Sequence, residues 1–296
     1  RIQEKAVITN GAFDSQNLVF WDPVEMHYRA YWRYFGNKVR SIRTATSSDF
    51  VNWHSEADLK YDNAPVEHLY TNQIGPYFRA PHILIGFPTR YIERGWSPSM
   101  RALPQPEHRE KRAAAHLRYG TSLTEGLLMA SRNGVHFERW NEGFLKPGPQ
   151  RPETWLYGHN YIAWHAVETK SALPGAPNEI SLYASEGSWT GDSNAIRRYS
   201  LRLDGFVSIN AGWKGGELIT KPIKFTGDRL ELNFATSAAG DIRVEIQNAD
   251  GKPLPGFTLV DCAEVFGDEI DRIVEWKNGS DVSTLSGKTV RLRFVL

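Results

Sequence analysis

Two stretches decide the fold: Ala45-Thr-Ser-Ser-Asp-Phe-Val-Asn-Trp53 and Met129-Ala-Ser-Arg-Asn-Gly-Val-His-Phe137, which align at a constant offset of 84 residues. Each follows a β-like run, Val39 to Thr44 and Leu123 to Leu128, and each reads as strand, Ser-x-Asp/Asn, turn, aromatic. An Asp or Asn at that place bonds the backbone two residues on and closes a tight turn, while the aromatic caps the sheet beneath it. A weaker third copy is Tyr183-Ala-Ser-Glu-Gly-Ser-Trp189. A turn repeated from sheet to sheet marks a bladed all-β architecture. At these positions the residues serve the turn rather than chemistry.

Working outward, each turn is prepared by the same run of strands. The first unit has Gln16–Trp21, the turn Asp22-Pro23, Tyr28–Phe35 and Val39–Thr46. The second has Tyr70–Arg79, His82–Phe87 and, after an insertion, Ser122–Ala130. The third has Trp155–Trp164, Glu179–Ala184 and Ala195–Leu201. The insertion from Arg90 to Tyr119 carries Pro98, Pro104 and Pro106, then Glu107–Leu117, whose Glu, Arg, Lys and Ala content predicts one exposed helix. After about Leu203 the pattern changes to strands between Gly-bearing turns. Val244–Ile246 and Val290–Val295 alternate with period two, which predicts one buried and one wet face. The expected organisation is therefore a β-propeller over residues 1–203 and a β-sandwich over 204–296.

Composition excludes several classes. The 296 residues hold 35 Lys plus Arg against 34 Asp plus Glu, a net charge of +1, so no basic surplus exists to neutralise a run of phosphates and no nucleic-acid partner is expected. With 41% hydrophobic and 23% charged residues and a mean hydropathy of −0.46, the chain has globular rather than disordered composition, and no apolar run suits a membrane helix. A single cysteine, Cys262, supplies neither an internal disulfide nor a thiolate zinc cluster. No His-Glu-x-x-His, Gly-x-Gly-x-x-Gly or Gly-x-Ser-x-Gly pattern occurs, so no metal, nucleotide cofactor or serine nucleophile is expected. Ten Trp, 12 Tyr and 14 Phe make the aromatic share 12%, suited to sheets and to stacking on sugar rings. The chain enters strand-like sequence directly at Arg1 and stops in or just after a strand. The expectation is that leader or blade sequence precedes it; no signal peptide is visible, a secreted or periplasmic location is compatible with the sequence, and the sequence itself assigns none.

Gly11-Ala-Phe-Asp14-Ser-Gln-Asn17-Leu-Val-Phe-Trp-Asp-Pro, followed by Tyr28-Arg-Ala-Tyr-Trp32, resembles the blade opening of glycoside hydrolase families thirty-two and forty-three. With the repeated turns and the C-terminal sandwich, the chain resembles a five-bladed propeller glycosidase over essentially its whole length. Glu67–Asn72, Tyr77–Tyr91 and Gly205-Phe-Val-Ser are similar to a group of uncharacterised bacterial glycosidase-like proteins. Three blades are visible where the resemblance implies five, which implies that the blade bearing the family's nucleophilic Asp lies upstream of Arg1.

In a propeller the innermost strand of each blade opens onto one mouth of the channel. That selects Asp14, Gln16 and Asn17 from the first unit, Glu67, His68, Asn72, Arg79 and His82 from the second, and His159 and Asn160 from the third. Glycosidic hydrolysis needs two facing carboxyl groups, one protonated and one ionised. Asp14 and Glu67 form the first-choice pair, with Glu168 next and Glu125, off the axis, last. Arg79, His82 and His159 would hold hydroxyls or an acidic substituent, although Arg79 reads equally as a structural ion pair and His159 as a core imidazole. The expected function is a glycoside hydrolase with a carbohydrate substrate. The alternatives are a non-catalytic glycan-binding or interaction propeller and a polysaccharide lyase.

Overall fold

The computed structural model describes residues 4–62, 64–190 and 194–296. Among them, twenty strands and three short α-helices make the chain all-β. No described helix is long and apolar enough to cross a membrane. The chain divides into two compact units, residues 1–167 with 181–200 and residues 168–180 with 201–296.

The first sheet is an antiparallel meander in chain order: β1 (Leu18–Asp22), β2 (His27–Gly36), β3 (Val39–Ser47) and β4 (His54–Asp58). Arg29 to Arg33 of β2 are all buried, so both faces of this strand are covered. One face sends Tyr31 and, from the neighbouring strand, Ile42 into a core shared with Leu69, Ile74, Leu84, Met129 and Phe137. The other packs Ala30, Trp32 and Ala45 against Trp53. The chain continues through β5 (Lys60–Tyr61), β6 (His68–Leu69), β7 (Gly75–Tyr77), β8 (Ala80–Gly86) and β9 (Thr89–Glu93). It then runs through helices α1 (Pro98–Arg101), α2 (Pro106–Ala115) and α3 (Leu117–Thr121) to β10 (Ser122–Gly126), β11 (Met129–Ser131) and β12 (His136–Arg139). These strands make a five-stranded sheet ordered β5-β12-β11-β8-β7 and a three-stranded sheet ordered β10-β9-β6. A last sheet is ordered β13 (Val167–Thr169), β14 (Glu179–Glu186), β15 (Ala195–Arg202), with a bridge from Ile162 to Ala184 extending it inward.

The two turns are copies of one another in hydrogen bonding. Asp49 Oδ1 accepts the N–H groups of Val51 and Asn52 at 2.8 and 2.7 Å, and Asn133 Oδ1 accepts those of Val135 and His136 at 3.0 and 2.8 Å. The next residue takes a left-handed φ in both, 66° at Phe50 and 74° at Gly134. Glycine adopts this freely and phenylalanine does not. Phe137 is buried against Tyr31, and Trp53 donates its indole N–H to Phe50 O. The third copy departs, because Gly187 stands where Asp49 and Asn133 stand and has no side chain to accept. Ser185 Oγ donates to Gly158 O instead.

Three expectations need correction. Ser122–Ala130 is two strands, so the run leaves one sheet at Gly126 and enters another at Met129. The predicted exposed helix forms as α2, but Arg109 within it is 1% exposed and donates to the carbonyls of Pro104 and Trp155. Most of Trp155–Trp164 is turn rather than strand.

The second unit contains β16 (Glu217–Ile219), β17 (Glu231–Ala235), β18 (Arg243–Asn248), β19 (Asp268–Ile273) and β20 (Val290–Val295). They form sheets ordered β16-β20-β18 and β17-β19. Its core joins Phe234, Val244, Ile246, Val274, Trp276 and Val290, and the Trp276 indole donates to Val244 O at 2.9 Å. The wet face predicted for Val244–Ile246 is absent. Glu245 is 4% exposed, and its carboxylate accepts from Gln247, Leu259 N and Arg293. Burial pushes the Cys262 thiol pKa up, which keeps it unreactive.

Candidate functional site

The site is built on strands whose alternation sorts side chains to two faces. On β6 and the residues flanking it, Glu67 and Leu69 point one way and His68 and Tyr70 the other. On β9, paired with β6 through His68 to Tyr91 and Leu69 to Arg90, Arg90 goes with Glu67 while Tyr91 and Glu93 go with His68.

On the second of these faces the tyrosines gather. Tyr70 lies 5.8 Å from Tyr91, 6.0 Å from Tyr157 and 5.6 Å from Tyr161 between ring centroids. Tyr157 Oη donates to Tyr70 Oη at 2.8 Å and accepts from Arg118. Tyr91 Oη donates to Glu93 at 2.8 Å and accepts from Ser122 Oγ. Two guanidiniums from the β2–β3 hairpin lie against the rings. Arg33 Cζ is 5.2 Å from the Tyr70 centroid, and Arg40 Cζ is 4.9 Å from Tyr70 and 4.7 Å from Tyr91. Such contacts contribute about 0.5–2 kcal/mol each, the larger values where water is excluded. His68 Nδ1 accepts the Arg40 backbone N–H at 3.0 Å, so that nitrogen carries no proton. Burial and the Arg40 charge hold its pKa below the usual imidazole value.

Electrostatics single out Tyr70. Burial pushes its phenol up, but the hydrogen bond from Tyr157 and the charges of Arg33 and Arg40 outweigh this and hold it below the ordinary phenol value. Burial and the same Tyr70 bond push Tyr157 up to about 12. Arg33 is 3% exposed. Its Nη2 pairs with Asp14, while Nε and Nη1 have no hydrogen-bond partner, nor has Arg40 Nε. A buried donor left without an acceptor costs about 1–3 kcal/mol.

The other face is closed by charge pairing. Arg90 binds both oxygens of Glu67, at 2.7 and 2.9 Å, and Glu125 at 2.8 Å, and Arg139 adds a 3.0 Å contact to Glu67. Burial alone would lower the Arg90 pKa, but its bonds to Glu67 and Glu125 raise it.

The structure thus brings together only some of the residues selected from sequence. Asp14 and His68 meet the tyrosine face. Ser15 Oγ donates to Tyr70 O at 2.8 Å, and Asn72, 1% exposed, donates to the backbone O of Gln16 at 3.3 Å, so the entries to the first two sheets touch. Asn17 closes its own turn onto Phe13 and Ser15. Glu67 is not placed opposite Asp14: a one-residue step along the strand turns it away, and its partners are Arg90, Arg139 and, through Arg90, Glu125. Arg79 lies in the exposed turn joining β7 to β8 and His82 on the exposed start of β8, and neither is among the residues that meet the tyrosines. Glu168 belongs to the second unit and accepts from Asn178 at 2.8 Å. His159 is 1% exposed, with Nδ1 accepting from Trp155 N at 3.0 Å. Burial lowers its pKa to about 4 against the pull of Glu186, a carboxylate already paired with Arg151 and Arg197. Asn160 is fully buried and donates to Leu145 O at 3.2 Å.

Sequence reasoning missed Arg33, Arg40, Tyr70, Tyr91, Arg118, Tyr157 and Tyr161. The signal was present in β2, where Arg33 interrupts an apolar aromatic run. A charge in such company requires a partner.

Among the described residues no group of three or more His, Cys, Asp and Glu is placed to hold a metal ion. Grooves of about 580 and 490 Å³ lie in the second unit beside Ile209, Asn210 and Leu296. Their ionisable lining groups are Asp241, Asp204 and Arg202, and Arg202 is held by Asp268.

No known protein family and no curated protein sequence matches the chain. Among solved structures, an N-acetylgalactosamine deacetylase from F. plautii in complex with blood group B trisaccharide is similar at a TM-score of 0.42 and 10% identity, over 64% of this chain and 50% of that one. A BT0996 RGII complex aligns at 0.35 and 11%, over 78% and 64%. The Bombyx mori GH32 β-fructofuranosidase BmSUC1 aligns at 0.27 and 10%, over 96% and 89%. The protein spans half the length of the deacetylase and under two thirds of that of BT0996.

Proposed function

We propose that the first unit is a set of β-propeller blades, that the domain runs to residue 203 with a β-sandwich after it, and that the tyrosine face binds and hydrolyses a glycan. One observation carries the reading. The entries to three sheets, at Asp14–Gln16, Tyr70–Asn72 and Tyr157–Tyr161, meet at Tyr70–Asn72: Ser15 and Tyr157 donate to Tyr70, and Asn72 donates to Gln16 O. A meander of sheets whose inner strands begin at one point is the arrangement that gathers a ligand at a propeller mouth. Tyrosine rings offer flat surfaces to the apolar faces of a sugar, and their hydroxyls hydrogen-bond its rim.

Among the described residues Asp14 and Glu93 are carboxylates of this face, and they take the places first assigned to Asp14 and Glu67. One protonates the leaving oxygen and the other acts as nucleophile or activates water. The test is a panel of plant and algal oligosaccharides incubated with the protein. It is read by released reducing ends and, so that elimination shows separately, by absorbance of unsaturated products. Asp14→Asn and Glu93→Gln should each lower release at least a hundredfold with binding retained. Undiminished release from both variants removes these residues from the mechanism, and binding without any release by the native protein leaves a glycan-binding propeller.

A further inference from the structure

We propose that the ligand of the tyrosine face carries an anionic group, a carboxylate or a sulfate ester on a sugar, and that Arg33 and Arg40 receive it; this rests on the glycan reading above. Two guanidiniums share one ring, Tyr70, within 5.2 and 4.9 Å, and three of their nitrogens, Nε and Nη1 of Arg33 and Nε of Arg40, have no acceptor. Arg33 is 3% exposed. Among the described residues its carboxylate partner is Asp14, whose side chain is 78% exposed on the segment ahead of β1, where water competes for it, and the Tyr70 phenol is a further polar neighbour of Arg33. The side-chain partner of Arg40 among them is a histidine nitrogen, His68 Nδ1, at 3.2 Å. Elsewhere in the same unit Arg90 has Glu67 and Glu125, Arg139 has Glu67, and Arg109, without a carboxylate, gives its Nε and Nη2 to the carbonyls of Pro104 and Trp155. On the tyrosine face two guanidiniums are gathered on one ring with few acceptors among the described residues.

A planar guanidinium presents N–H groups in a fork that matches two oxygens of a carboxylate or sulfate, and such charge-assisted bonds are roughly twice as strong as neutral ones. A neutral hydroxyl supplies an acceptor but no charge. An anionic group answers both needs, while the sugar ring that carries it rests on the tyrosines. Asp14 occupies one corner of Arg33 in the free protein and competes with the incoming group.

Three oligosaccharides of equal length test this: a neutral galactan, a galacturonan and a sulfated galactan, each titrated calorimetrically into the full-length protein at low and at physiological salt. Nitrogen-15 spectra of the arginine Nε–H groups are recorded alongside. At least one acidic probe should bind tenfold or more tighter than the neutral one, with an advantage that shrinks as salt is added and with shifts of the Arg33 and Arg40 Nε–H signals. Preference for galacturonan names a uronate, and preference for the sulfated probe names a sulfate ester. Arg40→Gln, at a half-buried position, should abolish the acidic preference, and Arg33→Gln should do the same in a protein whose melting curve confirms folding. Asp14→Asn should tighten acidic binding severalfold. Equal binding of all three probes, or an acidic preference that survives both arginine variants, overturns the inference and leaves the glycan reading standing. Failure of every probe to bind overturns both.

Discussion

The two faces of β6 and β9 use the same side-chain chemistry to opposite ends. On one, ion pairs run in a chain from Arg139 to Glu67, from Glu67 to Arg90 and from Arg90 to Glu125. On the other, one residue further along each strand, His68, Tyr70 and Tyr91 lie against Arg33 and Arg40, whose nitrogens are short of acceptors. The difference teaches that neighbouring faces of one sheet can set buried arginines against carboxylates on one side and against aromatic rings on the other. Both arginine sets are largely removed from water, so burial alone does not distinguish them. The number of carboxylate oxygens facing each guanidinium does.

The largest expected effect follows from the closed face. Arg90→Met strands Glu125 and leaves Glu67 with Arg139 alone, and should cost about 2–4 kcal/mol of stability, read as a lowered urea midpoint. A loss below about 1 kcal/mol would show that these pairs are solvated and that the contrast between the faces is false.

A second effect comes from His159, an imidazole that gains no charge from its neighbour because Arg151 and Arg197 already neutralise Glu186. Its pKa in the fold is about 4, below the ordinary 6.5, so the unfolded state takes up the proton first as pH falls. The stability it contributes is complete above pH 6.5 and is lost as pH drops toward 4, at up to about 1.4 kcal/mol per pH unit. Urea titrations between pH 6.5 and 4.5, above the range where Glu186 itself titrates, should show this slope, and His159→Gln should flatten it. A slope unchanged in the variant assigns it elsewhere.

The smallest effect belongs to the open face. Arg33→Met releases an exposed carboxylate, Asp14, to water and orphans no buried partner, so stability should change by no more than about 1 kcal/mol in either direction. A loss as large as that of Arg90→Met would make Arg33 a structural cation and close the gap between the faces.

How much was legible beforehand differs by kind of feature. The paired turns were, because the carboxamide or carboxylate and the backbone it bonds lie within three residues of each other. So was α2, from helix-favouring residues behind Pro106. The break of Ser122–Ala130 into two strands was not, since either half would serve as strand and only the sheets beyond decide where each pairs. Glu67 and His68 read alike because they are adjacent in sequence. The pleat separates them, and telling which joins the tyrosines requires knowing which side Leu69 buries. Tyr157 and Tyr161 lie in a segment that reads as plain strand, and nothing local announces that they meet Tyr70.

By itself the order of residues settled what short-range forces settle: the all-β class, the twin turns at Asp49 and Asn133, and the helix in the insertion. Each rests on contacts made within a few residues, where the entropy of closing the loop is small. The tertiary structure alone decided which arginines find carboxylates and which are left against tyrosine rings. Those partners stand 19 to 72 positions apart, and they are chosen by how sheets pack and which face each strand turns inward.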